Sequence, residues 1–218
     1  MPLPRLAIPR LPRVEGGFPD PGAWERAASL ELRRAQDGGA ALDPTRVRVL
    51  DDGRRLFVRF DCVDTDVWAT HTERDAPLWE EEVVEIFLAG GGSVPVRYFE
   101  LEVNPLGTLF DAVVDNPDGR RATMRVDTTW NAPGLIARIA RDVPGAWSAE
   151  IALPWAACFE APPPSILRAN FFRVERPRGR PAEFTCWSPT LADPPDFHRP
   201  EYFGILVREP ADGEPEDS

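Results

Sequence analysis

The sequence predicts an all-β fold: two antiparallel sheets packed face to face as a β-sandwich of jelly-roll character. Three observations carry this reading. Apolar residues alternate with polar ones at period two, the spacing of a half-buried strand. Turn-forming pairs and runs separate the apolar segments: Asp52-Gly53, Gly90-Gly91-Gly92, Asp118-Gly119 and Pro144-Gly145. Helical periodicity is confined to 23–28 and a short turn near 154–158, and many short strands with few helices favour two packed sheets.

The clearest strand is 55–61, where Leu56, Val58 and Phe60 share one face and Arg55, Phe57, Arg59 and Asp61 the other. The second is 98–104, with Phe99, Leu101 and Val103 on one face and Tyr98, Glu100, Glu102 and Asn104 on the other. Those two apolar sets predict buried faces. Further strands are expected at 47–50, 83–88, 109–114, 135–141, 148–153, 169–175, 184–187 and 202–207. Residues 1–22, rich in Pro and Arg, read as an N-terminal extension, 23–208 as the sandwich, and 209–218 as a disordered acidic tail.

Composition excludes several partner classes. The formal charge is −11 and every one of the 25 basic residues is Arg, spread along the chain, so the net field repels polyanions and argues against nucleic acid. No apolar run approaches the roughly 18 residues of a membrane span. Cys62, Cys158 and Cys186 are odd in number and lack CxxC spacing, which indicates neither a disulfide framework nor a zinc site. The opening residues lack the apolar core of a signal peptide, so a cytoplasmic protein is expected, or a secreted one if the start lies upstream.

Few residues stand out chemically. Glu85 interrupts the apolar run 83–88; alternation either turns it to solvent or sets it in a polar pocket, where it accepts from a hydroxyl or an Arg. Trp79 lies among polar loop residues and Trp187 where a strand meets a turn, contexts that suit an indole covering the apolar face of a sugar ring. Glu100 and Glu102 sit side by side on one strand face, about 7 Å apart along the strand. A hydrolase needs its acid and base on opposite sides of the scissile bond, so a hydrogen-bonding or solvated face is expected here. Asp61, Asp64 and Asp66 form an acidic group that suits calcium or a plain solvated loop. Met124 with His71 or His198 is the sole combination that could serve a haem-binding role.

Several segments, taken in order, resemble family 9 carbohydrate-binding modules, notably the stand-alone bacterial proteins of that type. They are Trp79-Glu-Glu-Glu-Val-Val-Glu-Ile-Phe-Leu88, Tyr98-Phe-Glu-Leu-Glu-Val-Asn-Pro-Leu-Gly107, Trp147-Ser-Ala-Glu-Ile-Ala-Leu-Pro-Trp155, Asn170-Phe-Phe-Arg-Val-Glu175, Trp187-Ser-Pro-Thr190 and Asp196-Phe-His-Arg-Pro-Glu-Tyr-Phe-Gly204. The resemblance implies a jelly-roll sandwich that binds a sugar or glycan end without catalysis. It places Trp79 and Trp187 as two walls of a clamp, with Glu85 and Arg173 as partners at its floor and Glu102 and Asn104 as further contacts. It also implies structural calcium, for which Asp64 and Asp66 are the candidate ligands. A glycan hydrolase on the same scaffold and a haem or redox domain are the alternatives.

Overall fold

The computed structural model describes residues 2–210; the part of the expected tail at 211–218, and Met1, lie outside the described residues. The strands are β1 (Arg5–Ile8), β2 (Ala28–Glu31), β3 (Arg33–Arg34), β4 (Thr45–Asp51), β5 (Arg55–Val63), β6 (Val83–Gly90) and β7 (Arg97–Val103). They continue with β8 (Leu109–Asp115), β9 (Arg125–Asp127), β10 (Ile136–Ala140), β11 (Ala146–Pro154), β12 (Ile166–Glu175), β13 (Glu183–Cys186) and β14 (Gly204–Arg208). The segment expected to be helical at 23–28 is a 3-10 turn, Pro21–Arg26, and the one α-helical turn among the described residues is Trp155–Cys158.

Two sheets form, as the alternation predicts. A five-stranded sheet runs β10-β11-β5-β4-β2. A nine-stranded sheet runs β1-β14-β12-β6-β7-β8-β9, and the far half of β12 pairs β13, which in turn pairs β3. All pairs are antiparallel except β1 with β14.

The core lies between the sheets. Leu56, Val58 and Phe60 of β5, and Leu101 and Val103 of β7, are buried there, while Phe99 is half-buried against Trp130 and Phe159. Burying each such aliphatic side chain stabilises the fold by about 1.5–3 kcal/mol. The tight β4–β5 connection is held by Asp51, whose Oδ1 accepts from the Gly53 amide at 2.5 Å, with Gly53 at φ +84°, where a Cβ would be strained.

Each sheet is apolar on its outer face as well, which plain alternation did not anticipate. On the five-stranded sheet, Leu50, Phe57 and Ala152 are roofed by Leu11 and Trp24. Residues 2–22 pack on the sandwich: β1 pairs β14 at the edge of the nine-stranded sheet, and Leu11 with the following 3-10 turn covers Phe57. On the nine-stranded sheet, Val83, Phe87, Tyr98, Phe110 and Phe172 are covered by the loop carrying Phe197 and Phe203. That cover is incomplete, and the gap it leaves is the candidate site.

Candidate functional site

The site is a cavity of about 380 Å³ on the outer face of the nine-stranded sheet. Its floor comes from neighbouring strands. Glu85 of β6 lies directly opposite Glu102 of β7, and Glu100 follows two residues along on the same face. Trp79, from the 3-10 turn Leu78–Glu80, forms one wall and meets Phe110 edge-on at 5.2 Å. Phe184 of β13, Phe197 of the covering loop, Arg121, Arg176 and His198 also line the cavity.

The floor is unusual. Glu85, Glu100 and Glu102 are all buried, and carboxylate oxygens of the three lie within 4.8 Å of one another. Burial, then mutual repulsion, raises Glu85 and Glu102 well above the ordinary carboxylate range. Burial also raises Glu100, to about 7, held back by the neighbouring Glu102 carboxyl and by Arg121. The Glu102 oxygens, 1% exposed, have no hydrogen-bond partner in the protein, and burial beside two other acids favours the neutral carboxyl. Nearby cations are already engaged: Arg121 pairs with Asp196 at 2.8 Å, and Arg176 binds the Trp79 carbonyl at 3.1 Å while lying over Phe184. Burial drives His198 down to about 4, so its ring is neutral; Nδ1 shares a 2.8 Å hydrogen bond with the Tyr98 hydroxyl.

The sequence-derived site residues separate into two groups. Trp79, Glu85 and Glu102 are brought together here; Trp187, Arg173, Asn104, Asp64 and Asp66 are not. Trp187 is 9% exposed and lies in the inter-sheet core, packed on Phe171 and filling the space above Gly204. Alternation along β13 explains the correction, since Phe184 and Cys186 point to the outer face and Trp187 continues on the inner one. The aromatic that this segment lends to the cavity is thus Phe184.

Arg173 does not pair with Glu85. It aligns with Val84 across β6, whereas Glu85 aligns with Phe172, so the two side chains project from opposite faces. Arg173 crosses the core to the other sheet, donating to Thr45 Oγ1 at 3.1 Å and the Val63 carbonyl at 2.8 Å. Its anionic partners are Asp64, at 3.1 Å, and Glu175. Glu82 completes that second acidic group; burial, then the neighbouring Asp64 and Glu175, push it up to about 10, and burial pushes Glu175 up to about 7 against the pull of Arg173.

Protein donors occupy the oxygens of Asp64 and Asp66, the residues that the sequence offered to calcium. Asp64 accepts from the Asp66 amide and from Arg173, and both Asp66 oxygens are held by Arg178. Guanidinium groups are the cations that meet them in this structure. Asn104 is likewise occupied: it bridges the His71 carbonyl and the Leu106 and Thr108 amides, holding the β7–β8 turn.

Sequence reasoning missed Phe184, Phe197, Arg121 and His198 as site residues. Phe184 was within reach through strand parity; the others sit on loops whose path the sequence does not reveal. A larger cavity, about 600 Å³, lies beside Arg55 and Trp155, but Arg55 spends its donors on the Val14 and Gly16 carbonyls and no buried carboxylate opens into it.

No curated protein sequence matches the chain significantly. Among solved structures, it is similar to a Bacteroides uniformis protein provisionally described as carbohydrate-binding, with TM-score 0.77 at 17% identity, covering 95% of this chain and 100% of that one. It is also similar to a family 9 carbohydrate-binding module of Caldicellulosiruptor kristjanssonii seen in complex with glucose, TM-score 0.62, and with cellotriose, TM-score 0.63. Those likenesses, at 14% and 13% identity over 98% of this chain, speak to the fold. The sequence profile of carbohydrate-binding family 9 matches residues 42–207, most of the sandwich and all the strands that build the cavity floor, and the chain belongs to that family.

Proposed function

We propose that the protein binds a carbohydrate, without catalysis, in the cavity over Glu85, Glu100 and Glu102. The observation that carries this reading is a set of buried acceptors, those of Glu102 lacking any protein donor, opening into an aromatic-walled cavity. Hydroxyl groups are the donors such a floor lacks, and the Trp79 ring offers a flat apolar surface to the C–H face of a pyranose. A single indole, backed by Phe110, replaces the two-Trp clamp.

The same floor argues against hydrolysis. All three carboxylates project from adjacent strands on one side of the cavity, whereas a glycosidase sets its two carboxylates on either side of the bond. The haem reading loses support too, because His198 is committed to Tyr98 and faces Glu100 through its other nitrogen.

Calorimetric titration with glucose and cellotriose, on wild type and two variants, tests the reading. Trp79→Ala is expected to weaken binding by about 2 kcal/mol, roughly 30-fold, with little change in stability, since the ring is 43% exposed. Trp187→Ala is expected to do the reverse: it empties a core position at a cost of about 3–5 kcal/mol while folded protein binds normally. Binding that survives Trp79→Ala unchanged and vanishes in still-folded Trp187→Ala would place the site elsewhere.

A further inference from the structure

We infer that the sugar taken by this cavity carries a protonated amine: a hexosamine or hexosamine end, whose ammonium rests on Glu85, Glu100 and Glu102 while its ring covers Trp79. The inference rests on the carbohydrate reading above and narrows it to a ligand class.

Three features of the floor point to a cation. First, the three acceptors converge: carboxylate oxygens of Glu85, Glu100 and Glu102 lie within 4.8 Å of one another, a spacing one small donor group can bridge. An ammonium has three N–H donors in a compact group, one for each carboxylate. A neutral hydroxyl has one and leaves the mutual repulsion of the acids in place. Second, Glu102 is fully buried with both oxygens unpartnered and lines the cavity, so the protein itself does not supply what this carboxylate needs. Third, the walls are the aromatic rings of Trp79, Phe110, Phe184 and Phe197, whose faces attract a cation once it leaves water.

The charged groups around the floor do not cancel the attraction. Arg121 is tied to Asp196, Arg176 to the Trp79 carbonyl and the Phe184 face, and His198 is neutral. A uronic acid would bring a fourth carboxylate to the same place and is disfavoured. N-acetylation removes the amine's charge and two of its donors.

A protonated floor gives the binding of a cation a signature that a neutral sugar lacks. Before binding, neighbouring acids share protons because burial and repulsion hold their ionisation back. An ammonium seated among them favours the carboxylate form, so its arrival expels protons.

The test is calorimetry on the full chain near neutral pH, in two buffers of different ionisation enthalpy. The probes are glucosamine hydrochloride, glucose, N-acetylglucosamine and calcium chloride alone. Glucosamine is expected to bind at least about tenfold more tightly than glucose or N-acetylglucosamine, since charge-assisted hydrogen bonds are the stronger kind. It is also expected to release protons to the buffer, whereas glucose releases none. Glu102→Gln, close in shape to the native residue, is expected to abolish the preference, bringing glucosamine down to the affinity of glucose. Glucose binding equal to or tighter than glucosamine overturns the inference and leaves the carbohydrate reading standing. Glucosamine binding without proton release overturns it as well, as does calcium binding that glucosamine cannot displace, which would make the floor a metal site. If neither glucose nor glucosamine binds, both readings fall.

Discussion

Arg173→Met is expected to destabilise the protein by about 3–5 kcal/mol at pH 8, the largest loss any one charge removal should cause here. Asp64, Glu82 and Glu175 are buried with carboxylate oxygens within 4.8 Å of one another, and Arg173 is the cation that contacts two of them. Methionine fills much of the same volume and leaves the acids uncompensated. The pH dependence follows from the direction of the shifts. Glu175 is raised to about 7 and Glu82 to about 10, so the folded state holds protons that the unfolded chain has released above its ordinary value of about 4.5. Groups of this kind favour folding fully below that value and progressively less as pH rises through the folded ones. Losing Arg173 widens the window, so the deficit of the variant should be small near pH 4 and large at pH 8. Exposed Asp66 and Asp118, held by Arg178 and Arg120 at about 2, keep their pairs intact across that range. Urea unfolding at several pH values checks this; a deficit below about 1 kcal/mol at pH 8, or one that does not change with pH, would show that the acids are compensated by something other than Arg173.

Glu102→Gln is expected to act in the opposite direction, stabilising the unliganded protein by about 2 kcal/mol at pH 8, the scale of a buried ionisable group left without partners. Glu102 faces Glu85 directly across two strands, and like-charged pairs in that position repel. Its raised folded value means that stability is lost as pH climbs from about 4.5, so the advantage of glutamine should vanish near pH 4 and grow toward pH 8. The same substitution should weaken the ligand, the exchange of stability against function expected where a site stores unfavourable charge. A glutamine variant no more stable than wild type at pH 8 would contradict the burial of ionisable groups at the floor.

Much of the architecture was legible, because strand alternation is a local property. Leu56, Val58 and Phe60 faced the core as their spacing required, and Arg173 shared a face with Phe171 and Glu175 as alternation required. What alternation lacks is register. Nothing within 83–88 or 169–175 says that Glu85 aligns with Phe172 instead of Arg173, and that one-residue difference puts the two on opposite faces of the sheet. The expected pair failed on this point alone, while Glu85 and Glu102 met because β6 and β7 align them. The packing of the N-terminal segment was not legible for a different reason: its apolar residues are sparse among Pro and Arg, too few to show a period, yet Ile8 and Leu11 are buried once another strand and Phe57 are there to receive them. A carboxylate cluster in sequence likewise does not disclose that Arg173 and Arg178 reach Asp64 and Asp66.

The cysteines are placed so that the protein carries its own record of where it opens. Cys62 lies in the inter-sheet core and Cys186 in the apolar layer beneath the cavity's covering loop. Burial pushes both thiols up to about 12, so neither forms an appreciable thiolate while its surroundings are closed. Alkylation of Cys186 ahead of Cys62 would therefore mark the covering loop lifting from an intact sandwich, and equal rates would mark whole-molecule unfolding. The inter-sheet core and the outer layer can thus be timed separately, with no label added to the chain.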